Sequence, residues 1–277
     1  ITCRDWSSDV CSSDLTEPFA RLYDPATLPL PSRRESERAT ASEITLSHEV
    51  SMELAGAGDE KLRLIKALYY ASVSMVDAAV GRVLDALDKL GLTDNTLVIF
   101  TSDHGEMLGD HWSWQKKLFY DASVRIPMLM RRPGHLPAGT RNDALVSMID
   151  IMPTVLAATG LNYTGDIELS GRDMTAIARG DEPGREVLFG ETDHGPSLSF
   201  MARDRRCKYI YYTRGGFEEL FDTQADPGEF TNLAAEAGHQ AIRRDLRAKL
   251  TAWLTHHRYA PALADGDLLA TDRKSVV

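Results

Sequence analysis

The six residues 96–101, TLVIFT, restrict the fold of this 277-residue chain more than any other segment. Such a continuous apolar and β-branched run is typical of a strand covered on both faces, and it predicts a central strand of a parallel sheet. A second run of this kind lies at 126–130. A long amphipathic helix is predicted over 59–91, and a shorter helix over 150–159 with Pro153 in its first turn. This alternation indicates an α/β fold.

The sequence pattern changes after about Leu161. Short strand-like runs at 187–191, 197–203 and 208–213 are separated by glycine, proline and charged turns, which predicts a small antiparallel sheet. The later segment 240–256 carries its apolar residues on one face and predicts a helix packed against that sheet. We therefore expect a partial parallel-sheet core followed by a small subdomain of antiparallel sheet and helix.

The segments outside these elements are interpreted separately. Residues 16–57 are rich in proline, serine and charge, and we expect an extended surface segment. Residues 1–15 and 272–277 resemble translated sequencing adapter and lack apolar periodicity. Both ends are therefore interpreted as artefacts, and the true N-terminus is expected to be missing.

The charge balance narrows the classes of partner. With 31 Lys and Arg against 41 Asp and Glu, the formal net charge is −10, which disfavours nucleic acid or an anionic membrane as the main partner. No membrane-spanning segment is predicted. The three cysteines, Cys3, Cys11 and Cys207, are too few for a disulfide scaffold or a thiolate zinc site. The sequence does not decide whether the protein is cytoplasmic or is periplasmic or secreted. It also does not decide the oligomeric state.

The residues after the first predicted strand carry the strongest chemical signal. Ligands of parallel sheets bind beyond the carboxyl ends of the strands, and Ser102, Asp103, His104 and Gly105 come directly after 96–101. A carboxylate oxygen and an imidazole nitrogen on consecutive residues predict half of a metal site, where the glycine lets the backbone turn. A turn closed by an Asx-type hydrogen bond is the structural alternative.

Several longer strings resemble one family. The run TSDHGEMLGDH, followed by a lysine pair and FYDASVRIPMLM, closely resembles the sulfatase family of the alkaline-phosphatase-like superfamily, which also contains phosphonate monoester and phosphodiester hydrolases. The resemblance continues in TEPFARLYDPATLPLP, YYASVSMVDAAVGRVLDALDKLGLTDNTLVIFTSDHG, ALVSMIDIMPTVLAATG and ELFDTQADPGEFTNLA. It implies an alkaline-phosphatase-like fold, in which 16–161 form the C-terminal part of the catalytic domain and 162–271 a C-terminal subdomain.

The resemblance implies roles for three residues. Asp103 matches the family's metal-ligating aspartate, and His104 occupies the next position, where other members have Asn or His. Lys116 falls at the family's sulfate-contacting lysine, judged by its spacing to Arg125, and Lys117 is the rival. The implied metal is divalent, Ca²⁺ first, with Mg²⁺ or Mn²⁺ as alternatives. Positive charge of this kind stabilises the oxygens of a transferring sulfate group.

Other parts of the family's site have no counterpart in this sequence. The family's nucleophile is a formylglycine made from a Cys/Ser-x-Pro-x-Arg motif, and neither that motif nor the paired N-terminal metal aspartates are found. The resemblance therefore implies a C-terminal fragment, itself inactive, of a sulfatase acting on sulfate monoesters of a small molecule or glycan. A phosphonate monoester or phosphodiester hydrolase is the alternative within enzymes. A non-catalytic sulfatase-like binding protein is the alternative from another class.

The remaining polar and aromatic residues receive simpler interpretations. His194 is assigned a structural role. A solvated hairpin turn is expected for the basic cluster of Arg203, Arg205, Arg206 and Lys208. For two pairs of residues the sequence does not decide between a role at the site and a structural place in the loop. The pairs are Asp110 with His111, and Trp112 with Trp114.

Overall fold

A computed structural model describes residues 15–39, 41, 42, 45, 57–193 and 197–271. His194 and the adapter-like ends, apart from Leu15, lie outside the described residues. The α-helices are α1 (Asp59–Lys89), α2 (Asp121–Val124), α3 (Ile151–Thr159), α4 (Met174–Arg179) and α5 (Gln240–His256). The strands are β1 (Val98–Thr101), β2 (Met128–Arg131), β3 (Leu188–Asp193), β4 (Leu198–Arg203), β5 (Cys207–Tyr212), β6 (Phe217–Asp222), β7 (Leu263–Ala264) and β8 (Asp267–Leu268). Short 3₁₀ helices before α1 span Phe19–Arg21, Pro25–Thr27 and Glu35–Ala39.

The predicted long helix is confirmed as α1, and Gly91 follows its end in the left-handed conformation that favours glycine, with φ 67°. The first two 3₁₀ turns lie against this helix. The hydroxyl oxygens of Tyr23 and Ser74 are 2.7 Å apart, and Arg63 donates to the carbonyl of Ala26 over 2.8 Å. The segment before α1 is therefore not simply extended, because its described part winds in single turns along the helix.

Helix α1 carries an exposed apolar stripe. Val73, Val76, Val83 and the following Leu90 are all exposed, and their spacing places them on one side of the helix. By length and composition alone, α1 is long and apolar enough to cross a membrane, which the sequence analysis did not predict. Its hydrogen bonds to the preceding turns are contacts of a helix within a folded domain.

Strands β1 and β2 pair with each other in antiparallel order, with Thr101 opposite Met128. The expectation of parallel pairing is wrong for these two strands. The chain leaves β1 at its carboxyl end and enters β2 from the same edge, without the crossover that parallel neighbours need. Phe100 and Leu129 lie opposite each other and are exposed. Within the described residues, one face of this pair is therefore open, although burial on both faces was expected.

The predicted antiparallel sheet and its helix are confirmed. Strands β3, β4, β5 and β6 form a sheet in that order, and each strand is antiparallel to its neighbour. One face of the sheet, with Phe200 and Tyr209, packs on three fully buried leucines of α5: Leu246, Leu250 and Leu254. The opposite face, with Met201 and Ile210, packs on the segment between β1 and β2 through Met107, Leu118, Phe119 and Tyr120. The C-terminal sheet thus supports the loop that follows β1.

Strand β6 has no counterpart among the predicted strands. Its sequence, FEELFD, places Glu218 and Glu219 inside the strand and interrupts the apolar run. Arg243 and Arg247 of α5 lie 2.7 and 2.5 Å from the carboxylate of Glu218. These ion pairs neutralise the Glu218 carboxylate inside the strand. The charged residues interrupt the apolar pattern, so the pattern does not predict β6.

A fully buried carboxylate fixes the start of α3. Asp150 accepts two hydrogen bonds from the guanidinium of Arg185, one of them 2.6 Å long. It also accepts the backbone N–H groups of Ser147 over 2.8 Å and Arg172 over 2.7 Å. Because Arg172 and Arg185 follow residue 161, this cluster joins the two parts of the chain that the sequence analysis separates.

We expect Asp150→Asn to destabilise the fold by about 3 kcal/mol or more, because it leaves the guanidinium of Arg185 largely buried without its counter-charge. Denaturant unfolding measures the change. Asp181→Asn is the matched control, since Asp181 pairs with Arg179 at the surface and such pairs contribute only about 0–1 kcal/mol. Equal losses in the two variants would contradict a special role for the buried pair.

Candidate functional site

The turn after β1 is closed by side-chain hydrogen bonds, but the Asp103 carboxylate binds the next residue and not the second residue on, so it does not form the Asx turn that the sequence left open. The Oδ1 atom of Asp103 accepts the backbone N–H of His104 over 3.0 Å, and the hydroxyl of Ser102 donates to the carbonyl of His104 over 2.7 Å. These bonds use only one carboxylate oxygen of Asp103. More than half of the Asp103 side chain, 58%, is exposed, so its other oxygen can bind a ligand.

The imidazole of His104 is oriented by its own turn. Its Nδ1 atom lies 2.6 Å from the carbonyl oxygen of Gly105, which assigns Nδ1 as the protonated donor and leaves the lone pair on Nε2. Nε2 lies 3.4 Å from Oδ2 of Asp103. Two ligand atoms at right angles on a cation, with bonds of about 2.3 Å, lie about 3.3 Å apart. The pair therefore fits adjacent coordination positions of one cation.

Two ligand atoms do not complete a metal site. A hard cation such as Ca²⁺ takes about six to eight oxygen ligands. Among the residues that the structure describes, no group of three or more His, Cys, Asp and Glu side chains gathers in a way that could hold a metal ion. The structure thus brings two possible ligand atoms of Asp103 and His104 together, and their assignment as half of a metal site stays a prediction.

The Asp-His turn lies in close contact with α2. The N–H of Gly105 donates to the carbonyl of Ser123 over 2.7 Å, and the N–H of Glu106 donates to the carbonyl of Ala122 over 2.9 Å. A Cβ atom at position 105 would lie 2.0 Å from the carbonyl oxygen of Ala122. Only glycine allows this approach.

Ser123 connects the turn to the predicted lysine. This residue is 1% exposed; its carbonyl binds Gly105, and its hydroxyl donates to the carbonyl of Lys116 over 2.8 Å. Sequence reasoning did not single out Ser123, because a serine inside FYDASVRIP has no chemical signature of its own. The structure makes it the physical link between the two predicted parts of the site.

The two candidate lysines have different surroundings. Lys116 is half-buried, whereas Lys117 is exposed. The backbone just before Lys116 is fixed by the N–H of Met107, which donates to the carbonyl of Gln115 over 3.0 Å, and by Glu106, whose carboxylate accepts the N–H of Gln115 over 2.7 Å. This geometry favours Lys116 as the lysine that the fold positions.

The tip of the loop, residues 108–115, is held in strained backbone conformations. Leu108, His111, Trp112 and Gln115 all have positive φ, between 48° and 64°. Non-glycine residues in this region cost free energy and are retained only where surrounding contacts impose them. The loop tip is therefore shaped by its neighbours.

Those neighbours belong to an earlier segment, residues 31–38, here called the strap. His111 is buried, its Nδ1 lies 2.5 Å from the carboxylate of Glu37, and its ring stacks on Tyr120 with centroids 4.1 Å apart. The carboxylate of Asp110 accepts the N–H of Ser32 over 2.6 Å. Asp110 and His111 thus bind the strap and do not form a solvated tip.

The two tryptophans of the loop differ. Trp114 is buried and belongs to the packing. Trp112 is half-buried and donates its indole N–H to the carbonyl of Arg34 over 3.0 Å. The guanidinium groups of Arg33 and Arg38 lie over its ring.

The interpretation of the basic cluster as a solvated turn is correct for Arg205 and Arg206, which are exposed, but wrong for Lys208. Lys208 is fully buried, with its Nζ 2.6 Å from the carboxylate of Asp121, 2.5 Å from that of Glu229 and 2.8 Å from the carbonyl of Phe119. Residue 208 points to the inner face of β5, so the pleat of the strand carries it into the core.

Asp121, the first residue of α2, receives a second cation from the sheet. The guanidinium of Arg203 lies 2.5 Å from its carboxylate. Burial alone would raise the pKa of Asp121, but the charges and hydrogen bonds of Lys208 and Arg203 outweigh burial and hold the pKa below its ordinary value. Asp121 is therefore ionised and anchors α2 to the C-terminal sheet.

The pKa of Glu219 is shifted in the opposite direction to that of Asp121. The hydroxyls of Tyr120 and Tyr212 donate to its carboxylate over 3.1 and 2.8 Å. Complete burial is the main cause that raises the pKa of Glu219 to about 7, against the lowering effect of these hydrogen bonds. The carboxyl lies beside a small cavity of about 20 Å³ that His111 and Glu37 also line.

Two family models match the chain. The one described as Sulfatase matches residues 29–161, and the one described as N-sulphoglucosamine sulphohydrolase, C-terminal, matches residues 109–256, just over half of the chain.

Several curated relatives have sulfatase names. An arylsulfatase of Clostridium perfringens is 34% identical over 176 residues, which cover 62% of this chain and 36% of the relative. An ulvan-active sulfatase of Formosa agariphila is 33% identical over 192 residues, which cover 66% of this chain and 37% of the relative. The chain thus spans little more than a third of the length of these two relatives.

Solved structures share the fold over most of this chain. A phosphonate monoester hydrolase of Agrobacterium radiobacter has a TM-score of 0.76 at 30% identity, covering 89% of this chain and 55% of that chain. A 2-O GAG sulfatase has a TM-score of 0.75 at 25% identity, covering 87% of this chain and 56% of that chain.

We expect the folded protein to lose stability as the pH rises from 4.5 to about 7, the ordinary and the raised pKa of Glu219. In this window the unfolded state has released the Glu219 proton while the folded state keeps it, so rising pH favours unfolding by roughly 3 kcal/mol for this group. Denaturant unfolding at about pH 5 and about pH 7.5 measures the effect. Glu219→Gln should lack this part of the pH dependence, and equal pH profiles for the two proteins would refute it.

Proposed function

Because this chain belongs to the sulfatase family and has the alkaline-phosphatase-like fold, we propose that it forms the C-terminal part of a sulfuric ester hydrolase. In this proposal, residues 16–161 belong to the catalytic domain and 162–271 to a C-terminal subdomain. The rest of the parent protein covers the apolar stripe of α1 and the open face of β1 and β2. The parent hydrolyses sulfate monoesters, and this chain alone does not.

The observation that carries the proposal is the half-site formed by Asp103 and His104. The lone pair on His104 Nε2 and the Oδ2 atom of Asp103, 3.4 Å apart, suit two adjacent ligands of a divalent cation. Ca²⁺ is the first choice, and Mg²⁺ or Mn²⁺ are alternatives. The remaining ligands come from the N-terminal part of the parent. When bound, the cation stabilises negative charge on the sulfate group.

Lys116 is the residue that contacts the sulfate group in this proposal. Its ammonium supplies positive charge to oxygens that become more negative in the transition state. The hydrogen bond from Ser123 to its carbonyl supports this role, since Ser123 also holds the Asp-His turn. Ser123 is thus a positioning residue that fixes the lysine relative to the metal ligands.

The nucleophile belongs to the missing part of the parent. The proposal assigns a formylglycine, made from Cys or Ser in a Cys/Ser-x-Pro-x-Arg motif, and the 277 residues contain no such motif. The single described cysteine of this chain, Cys207, is buried. Burial and the neighbouring charges of Asp204 and Asp222 raise its pKa to about 11, so it is not an activated thiolate.

A sulfated glycan is the proposed substrate class. Support comes from the ulvan-active sulfatase and the 2-O GAG sulfatase among the similar proteins. Phosphonate monoester hydrolysis is the second candidate, favoured by the structural similarity to the hydrolase of Agrobacterium radiobacter. Turnover of matched aryl sulfate and aryl phosphonate monoesters by the complete parent separates the two candidates.

In the complete parent, we expect Asp103→Ala to abolish metal-dependent turnover, since the cation loses an anionic ligand. Lys116→Ala should lower kcat by about 10²-fold, as removal of an oxyanion-type donor does. Steady-state kinetics on an aryl sulfate measures both. Lys117→Ala is the matched control, because Lys117 is exposed. A silent Lys116→Ala together with a damaging Lys117→Ala would reassign the lysine.

For the 277-residue chain alone, we expect no sulfate ester hydrolysis and only weak binding of Ca²⁺ or Mg²⁺, in about the millimolar range of open calcium modules. The chain offers one carboxylate oxygen and one imidazole to the cation. Calorimetric metal titration and an aryl sulfate assay with added metal test this. Submicromolar affinity or measurable turnover would overturn the half-site assignment.

A further inference from the structure

We propose that Glu229 is a positioning residue for the candidate site. Its carboxylate fixes α2, and α2 in turn fixes the turn that carries Asp103 and His104. The inference rests on the proposed function and adds to it a residue of the segment 162–271 that acts through its neighbours and not by contact with the sulfate group. It also assigns a role to the string ELFDTQADPGEFTNLA, which the proposed function does not use.

The first support is the pair of contacts made by the Glu229 carboxylate, whose side chain is 2% exposed. Its Oε2 atom accepts the backbone N–H of Asp121, the first residue of α2, over 2.6 Å. Its Oε1 atom forms an ion pair with Lys208, whose Nζ lies 2.5 Å away. The same Nζ lies 2.6 Å from the carboxylate of Asp121. Glu229 therefore holds the start of α2 through the main chain and, by way of Lys208, through a side chain.

The second support is a continuous set of hydrogen bonds from α2 to the candidate site. The carbonyls of its second and third residues accept the N–H groups of Glu106 and Gly105 over 2.9 and 2.7 Å. The hydroxyl of Ser123 donates to the carbonyl of Lys116 over 2.8 Å. Because α2 has only four residues, a shift of its first residue also moves these groups. A change at Glu229 therefore reaches both the Asp-His turn and the lysine.

The third support is the backbone of Glu229, which has a positive φ of 53°. A non-glycine residue in this region costs free energy and is retained where surrounding contacts impose it. Its N–H donates to the carbonyl of Asp226 over 3.0 Å, and the carboxylate of Asp226 accepts the N–H of Thr231 over 2.8 Å. The turn DPGEFT is thus closed on itself, and its strained residue carries a carboxylate into the core towards α2.

The fourth support is that stability alone does not account for this buried charge. Desolvation offsets most of the attraction between Glu229 and Lys208, and apolar residues of similar volume often stabilise a core equally well. An apolar side chain, however, cannot accept the N–H of Asp121. The carboxylate therefore supplies a defined position for α2 that packing alone does not supply.

The test uses the complete parent with the variants Glu229→Ala and Glu229→Gln. Glu218→Gln is the matched control, because Glu218 is a largely buried carboxylate of the same sheet whose ion pairs are with Arg243 and Arg247 of α5. Calorimetric titration of the metal-depleted protein with Ca²⁺ should give an affinity about tenfold lower for Glu229→Ala, as expected when a group that orients a metal ligand is lost. The control should bind Ca²⁺ as the wild type does.

Hydrogen exchange separates positioning from a loss of overall stability. In Glu229→Ala the amide protons of Gly105, Glu106 and Asp121 should exchange faster, while those of β4 and β5 keep their wild-type rates. An overall loss of stability would speed exchange in the sheet as well. Equal acceleration in the sheet and in the Asp-His turn would therefore overturn the inference.

Glu229→Gln provides the conservative rescue. It keeps the size of the side chain and an oxygen that can accept the N–H of Asp121, but it loses the charge that pairs with Lys208. Its Ca²⁺ affinity and exchange rates should lie between those of the wild type and Glu229→Ala, and it serves as the test variant if Glu229→Ala does not fold. Wild-type affinity and wild-type exchange at Gly105 in every folded Glu229 variant would overturn the positioning role.

Turnover separates this inference from the proposed function. The kcat for an aryl sulfate should fall by about tenfold in Glu229→Ala and stay unchanged in Glu218→Gln. If the parent hydrolyses no sulfate ester while exchange at Gly105 still depends on Glu229, the proposed function fails and the positioning role stands. If the parent hydrolyses the ester and the Glu229 variants match it in affinity, exchange and kcat, the positioning role fails and the proposed function stands.

Discussion

The close approach of the Asp-His turn to α2 is the contact on which the rest of the site depends. Gly105 leaves no room for a side chain against the carbonyl of Ala122, and the two N–H groups of the turn bind carbonyls of α2. A single turn of helix has little stability of its own. Its position is set by Asp121, which binds Lys208 and Arg203 of the C-terminal sheet. The sheet therefore determines where Asp103 and His104 lie.

Buried charge, and not only apolar packing, connects the two parts of the chain. Lys208 is fully buried and has two carboxylates and one carbonyl as partners, and Asp150 is fully buried and saturated by Arg185 and two backbone N–H groups. Such pairs add little net stability, because desolvation offsets most of their attraction. They do make wrong arrangements costly, since any shift leaves a buried charge without its partner. The arrangement favours a single geometry at the site.

Apolar periodicity predicts most of the elements here, and it fails where charge is buried. The spacing of valines and leucines is sufficient for α1 and α5, and the residues of β4 and β5 identify the antiparallel sheet. Strand β6 is not predicted, because Glu218 interrupts its apolar pattern. The arginines that neutralise Glu218 lie far along the chain, so no local pattern indicates the pairing. The antiparallel direction of β1 and β2 depends on the path of the loop between them, and no local sequence pattern predicts that path. In the candidate site, Asp103 and His104 can be predicted because their residue types are typical metal ligands. Ser123 cannot be predicted, because it acts through the positions of its carbonyl and hydroxyl groups, which no sequence pattern indicates.

The antiparallel return from β1 to β2 has an evolutionary consequence. Both strands meet the loop at the same edge of the sheet, and the loop is pinned at its base by Gly105 and Ser123. The hydrogen bond from the N–H of Met107 to the carbonyl of Gln115 closes the loop below its tip, so we expect changes of length at the tip to leave the strand register intact. The tip can therefore change in sequence while the turn with Asp103 and His104 below it keeps its position, so one scaffold can acquire new ligand preferences through changes in a few residues.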